Sequence, residues 1–190
     1  TNAVTPTPSP DIATTPQSIE TPKDMFTDRD KQTNAENCYT IVLADSGSDS
    51  DCGSVQISNN TITFTQEAAY KISGKLSDGI VIVDTDKNAK VHLILDSTTI
   101  NNSSGAAVYI RQADKVFITL NGESALSSGE RFISIDDNDI DATVFSKDDL
   151  TFNGTGSLTV TAPAGHGIVS KDDLVFTGGS YTITTSKHGI

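Results

Sequence analysis

The 190-residue chain carries 25 acidic and 13 basic residues, a net charge of −12, and 35% of its residues are hydrophobic. That balance argues against a nucleic-acid binder, which needs a basic face to meet phosphates. With no Trp and one Met, a core of large aromatic anchors is not expected, and no apolar run approaches the ~20 residues of a membrane span.

In chain order, residues 1–34 read as a tail or linker. Thr, Pro, Ser and Asn dominate Thr1 to Pro22, and the apolar residues follow neither a strand nor a helix period. Such a segment buries too little surface to offset its ordering entropy, so it is expected to be a disordered or extended N-terminal arm. A spacer is favoured over an arm that pairs with a neighbouring subunit. Residues 35–54 form the entry segment, in which Cys38 and Cys52 flank the polar loop Asp45 to Asp51. A disulfide between them would restrict the unfolded chain by about 3 kcal/mol and would suit an oxidising compartment. Two unrelated thiols are the alternative.

From residue 55 to 190, short apolar runs alternate with Gly, Asn, Asp and Ser turns: Ile62-Thr-Phe64, Ile80 to Val83, Val91 to Leu95, Val108-Tyr-Ile110 and Val116 to Leu120. None is long or amphipathic enough for a helix, and their β-branched content predicts strands. An internal repeat orders them. Ser146-Lys-Asp-Asp-Leu-Thr-Phe152 returns 24 residues later as Ser170-Lys-Asp-Asp-Leu-Val-Phe176. Gly156-Ser-Leu-Thr-Val-Thr161 returns after 23 as Gly179-Ser-Tyr-Thr-Ile-Thr184, and His166-Gly-Ile168 after 22 as His188-Gly-Ile190. This period fits one rung of a β-solenoid, and the expected fold is an all-β, right-handed parallel β-helix. With rungs about 4.8 Å apart, Val144 should stack with Ile168, Leu150 with Leu174, Phe152 with Phe176 and Val160 with Ile183. Residues 128–141 read as an excursion between rungs. The last rung is incomplete at Ile190, which predicts either a fragment or an end covered by another subunit.

A family likeness rests on these motifs together. Asn60-Thr-Ile-Thr-Phe64, Tyr70 to Gly79, Ala89 to Asp96, Gly105-Ala-Ala-Val-Tyr109 and Ala113 to Leu120, joined to the Ser-Lys-Asp-Asp-Leu repeats, resemble a family of secreted clostridial carbohydrate-binding proteins. The likeness covers about residues 55–190. It implies a pectate-lyase-like β-helix, bound calcium, and binding to cellulose and pectic polysaccharides with little or no lyase activity.

The residues themselves offer few sites. In a solenoid Asp148 would stack with Asp172 and Asp149 with Asp173, placing like charges about 5 Å apart. A Ca²⁺ ion with oxygens at about 2.3–2.6 Å on each side would relieve that repulsion; turn-forming aspartates that bond the local backbone are the alternative. Asp137 and Asp139, in the run Asp136 to Asp141, are a second calcium candidate or a solvated acidic loop. His166 and His188 are expected to stack. Tyr109 and Phe117 occupy the outward phase of their strands and are the best aromatics for stacking on sugar, unless a neighbouring loop covers them.

Three functions follow. The first is a non-enzymatic, calcium-stabilised module, secreted or attached to the cell surface, that binds plant cell-wall polysaccharide. The second is a structural fibre subunit that self-associates head to tail into filaments. The third is a weak pectate-lyase-like enzyme, which would need a base beside calcium; Lys147 and Lys171 are the nearest, and their repetition fits a structural ladder better.

Overall fold

A computed structural model describes residues 26–33, 37–136 and 139–190. Among the described residues one helical turn, α1 (Asp28–Lys31), precedes sixteen strands. The first half holds β1 (Tyr39–Leu43), β2 (Asp49–Ser50), β3 (Val55–Ser58), β4 (Thr61–Phe64), β5 (Ala69–Leu76), β6 (Ile80–Asp84), β7 (Lys90–Asn102) and β8 (Val108–Gln112). The second half holds β9 (Lys115–Asn121), β10 (Glu123–Ser128), β11 (Ala142–Ser146), β12 (Asp149–Gly154), β13 (Ser157–Ala162), β14 (His166–Ser170), β15 (Leu174–Phe176) and β16 (Ser180–Thr185).

The strands form two sheets. The six-stranded sheet runs β14-β11-β8-β6-β4-β3. The ten-stranded sheet runs β15-β12-β9-β7-β10-β13-β16, with β5, β1 and β2 joined at its side. The repeat register is the one expected: Leu150 pairs Leu174, Phe152 pairs Phe176, Val160 pairs Ile183 and Val144 pairs Ile168, all in parallel. Phe152 and Phe176 lie face to face at 5.1 Å. Ser146 and Ser170 are also in register, and both hydroxyls donate to the carbonyl of Asp148, at 2.6 and 3.0 Å.

The fold class itself is corrected. The chain is all-β with two mixed sheets, and it is not a closed, regular right-handed parallel β-helix. β1 pairs β2 and β3 pairs β4 in antiparallel fashion. The cause is local turn chemistry. Asn59 adopts φ +52 in the two-residue Asn59-Asn60 turn, and Gly47 closes the turn after β1 by bonding the Ala44 carbonyl at 3.0 Å. Such turns make hairpins rather than crossovers. A second departure is β7, whose 13 residues run through a bend and tie both flanks into one sheet. Its buried phase passes from Val91, Leu93 and Leu95 to Thr98, Ile100 and Asn102 across Ser97, which has φ +55. The extra residue re-aims the side chains as a bulge does. Gly154 makes the corresponding bend between β12 and β13 at φ +101, where a Cβ would lie 2.3 Å from the Leu120 carbonyl oxygen.

The core is a column of Ile, Leu, Val and Phe between the sheets. A separate cluster covers the outside of the six-stranded sheet, where Ile140 of the excursion packs with Ile80, Ile82, Tyr109 and Phe145. On the outside of the ten-stranded sheet lies α1, so residues 26–33 are folded where a disordered or extended arm was expected.

Candidate functional site

The outer face of the ten-stranded sheet is built from the outward-pointing residues of stacked strands. Register places Ala69, His92, Phe117, Thr151 and Val175 in one row. A second row holds Lys71, Ile94, Thr119 and Asn153. These rows are cross-linked. Thr119 donates to Asn153 Oδ1 at 2.5 Å, so its oxygen is left to accept from His92 Nε2 at 2.6 Å. That assignment makes Nε2 the protonated nitrogen of a neutral ring. Burial first, then the nearby Arg29, holds the His92 pKa below its ordinary value.

Residues 26–33 lie across this face. Thr27 caps α1 reciprocally with Asp30: the Asp30 N–H donates to Thr27 Oγ1, and the Thr27 N–H and hydroxyl donate to the Asp30 carboxylate. The carboxylate is buried and also takes Lys115 Nζ at 2.9 Å and the Thr151 hydroxyl at 2.8 Å. Burial alone would raise its pKa, but the bonds from Lys115, Thr27 and Thr151 together hold it well below the usual carboxylate range. Asn153 Nδ2 donates to the carbonyls of Asp30 and Gln32, at 3.1 and 3.0 Å, and the Thr177 hydroxyl donates to that of Asp30 at 2.6 Å. Arg29 sits 5.4 Å above the Phe117 ring, with His92 beside it at 5.7 Å. A cavity of about 320 Å³ opens on one flank, lined by Arg29, Glu67, Lys90, His92 and Phe117. Another of about 460 Å³ lies on the other, lined by Thr33, Lys71, Ile94, Thr119 and Asn121.

The sugar-stacking candidates therefore sit apart and under cover. Phe117 is 2% exposed beneath Arg29, and Tyr109 is fully buried on the other sheet. Tyr109 packs against Phe145 at 6.2 Å and under the Arg111 guanidinium. Arg111 is itself paired with Asp84 at 2.8 Å and Asp136 at 2.6 Å.

The repeated aspartates act on neighbouring turns. Asp148 accepts the Ala113 N–H at 2.9 Å, and Asp149 the Asp173 N–H at 3.2 Å. Asp45, Glu67 and Asp78 do the same for the N–H groups of Ser77, Lys90 and Ser103. The Asp149 pKa is raised by burial first and also by the charges of Asp172 and Asp173, against the bond from Asp173 and the pull of Lys115. Asp172, Asp173 and Asp139 are exposed, and Asp137 lies outside the described residues. Among the described residues no three His, Cys, Asp or Glu side chains converge to hold a metal ion. His166 and His188 stack at 5.1 Å, as expected. No disulfide joins Cys38 and Cys52. Cys52 turns into the core with Sγ 3.0 Å from Ser54 Oγ, away from the loop the bridge was expected to close. Burial pushes the Cys38 thiol up.

Sequence reasoning missed Asp30, Lys115, Thr151, Asn153 and Thr177. Thr27-Asp-Arg-Asp30 does carry a capping-box signature, which was the available signal for α1.

A protein-family model described as carbohydrate-binding domain-containing protein matches residues 58–190. A carbohydrate-binding domain-containing protein from Acetivibrio thermocellus is 33% identical over 133 residues, which span 68% of this chain and 46% of that protein. The chain thus covers about half the length of that relative. A solved polysaccharide lyase-like protein from C. thermocellum, studied as a gadolinium derivative, superposes with a TM-score of 0.73 at 33% identity, over 76% of this chain and 60% of that one. With well over half of its length inside the family match, this chain belongs to the carbohydrate-binding domain-containing proteins.

Proposed function

We propose that this chain is a non-catalytic module that binds plant cell-wall polysaccharide, cellulose or a pectic chain, outside the cell. The observation that carries this reading is the family match over residues 58–190. The outer face of the ten-stranded sheet supports it, because beneath residues 26–33 it carries the Thr119 and Thr151 hydroxyls, the Asn153 amide, the His92 imidazole and the Phe117 ring, the kinds of group that bind a sugar chain. Calcium belongs to the proposal at one place. A cation between Asp149 and the Asp172–Asp173 pair would offset the carboxylate charges that, after burial, raise the Asp149 pKa, although the Asp149 side chain would have to turn from its bond with the Asp173 N–H to reach it.

Affinity electrophoresis through gels containing hydroxyethyl cellulose or polygalacturonate tests the reading. Retardation in at least one gel is expected, without release of ultraviolet-absorbing unsaturated products. Unretarded migration in both would overturn it, and product release would favour the lyase instead.

A further inference from the structure

Three basic side chains surround the Phe117 ring. Residues 26–33 form a strap across the sheet, and the guanidinium carbon of its Arg29 lies 5.4 Å from the ring centroid. Lys115 Nζ lies 5.6 Å from the same point, and the His92 ring stands beside it at 5.7 Å. Arg29 and Lys115 are permanently charged. Lys115 is balanced by Asp30 at 2.9 Å, whereas no carboxylate among the described residues pairs with Arg29, whose partner is the ring face.

His92 is the third, and it can change its charge. Its Nε2–H donates to Thr119, Thr119 donates to Asn153, and Asn153 donates to the carbonyls of Asp30 and Gln32. A proton therefore enters at Nδ1 and leaves that relay intact. The other charged groups around the imidazole are accounted for. Lys71 on β5 is paired with Asp96, and Lys90 on β7 with Asp114. Asp28 and Lys31 of α1 are exposed. Glu67, before β5, accepts the Lys90 N–H and shares a cavity with Arg29 and His92. Burial first, then the Arg29 charge, holds the imidazole neutral, and Glu67 does not offset them. The coupling is reciprocal: a cover that lowers the proton affinity of His92 is weakened by the same factor when His92 takes a proton. Asp30 stays ionised through that step, because despite burial the bonds from Lys115, Thr27 and Thr151 hold its pKa well below the usual carboxylate range.

We propose that residues 26–33 are an acid-released cover: a proton on His92 drives Arg29 off the Phe117 ring and opens that ring to ligand, while Asp30 keeps the strap on the sheet. This regulation presupposes the polysaccharide-binding reading of the same face. A freed Phe117 supplies the apolar platform on which a pyranose ring stacks. The apparent affinity then rises with the fraction of molecules whose ring is uncovered.

The test follows the full chain by NMR without ligand as the pH falls from about 8 to about 3. The Arg29 side-chain protons, shifted by the Phe117 ring current, should move toward their free values with the same midpoint as the His92 ring protons, below about pH 6.5. Arg29→Met keeps the cover, removes its charge and should raise the His92 midpoint. His92→Gln, which keeps a donor for Thr119, should leave the Arg29 signals flat until Asp30 titrates. Calorimetric titration with cellotetraose reads the consequence for binding. With Arg29 over the ring in about nine molecules of ten at about pH 8 and in half of them at about pH 5, affinity rises about fivefold, and by less than about twofold in His92→Gln. Arg29 signals that stay fixed through the His92 titration, or that move only below about pH 4 with Asp30, overturn the proposal, and that measurement needs no variant to fold. Cellotetraose bound equally at both pH values while Arg29 follows His92 overturns the control of binding. Co-titration with no cellotetraose bound at either pH upholds the release of Arg29 and brings down the polysaccharide reading instead.

Discussion

Replacing Phe152 by Ala probes the stacked core where the repeat is clearest. The Phe152 ring is fully buried, lies parallel to Phe176 at 5.1 Å, and takes the edge of Tyr181 at 5.9 Å. A Phe→Ala change at such a site costs about 3–5 kcal/mol, the lost transfer energy plus an unfilled cavity. For a chain of this length each kcal/mol lowers the melting temperature by roughly 2–4 °C, so the loss should be about 10 °C. Phe176 sits on the outermost rung and is only partly buried; Phe176→Ala should cost about half as much, since less area leaves contact. Urea denaturation followed by circular dichroism gives both values. If Phe152→Ala costs under about 1.5 kcal/mol, or if Phe176→Ala costs more than Phe152→Ala, the stacked-ladder account of the core is wrong, because the ranking follows directly from burial.

Three further outcomes are expected, the last of them from the calcium proposal. Stability should fall with pH in two stages. His92 is kept neutral, so its share is complete above about pH 6.5 and is lost below it; the depressed Asp30 carboxyl contributes fully above about pH 4 and loses its share below that. His92→Asn should remove the upper stage and Asp30→Asn the lower, read as urea midpoints against pH. Gly154→Ala should cost on the order of 1–3 kcal/mol from its φ of +101 and the clash with Leu120, whereas Gly53→Ala, with open space around it, should cost little. Calcium at about 100 times its Kd should stabilise by roughly 2.7 kcal/mol, and Asp149→Ala with Asp173→Ala should cancel that gain. An unchanged melting temperature on adding chelator to calcium-loaded protein would dismiss the ion.

The ladder register was legible because each rung repeats the same apolar phase: Leu150 and Phe152 announce the places of Leu174 and Phe176. What escaped is local or distant. Asn59-Asn60 reverses the chain by a backbone preference that a repeat search passes over, and this cost the fold class. The strap was invisible for another reason. Asp30 meets Thr151 121 residues away through a single polar contact, which leaves no periodic trace in sequence. Phe117 and Tyr109 were rightly placed on outward phases, yet outward means uncovered only where nothing crosses the sheet, and here α1 and the Ile140 excursion do. The Asp148 and Asp149 repeats were legible as a motif. Their bonds to the N–H groups of Ala113 and Asp173 show the motif serving the turns of neighbouring rungs.

The most direct test of polysaccharide binding is a depletion isotherm of the full chain on isolated plant cell walls, before and after enzymatic removal of pectin. The account predicts saturable depletion on at least one of the two preparations. Depletion that is absent on both preparations, or that rises linearly without saturating, would contradict it.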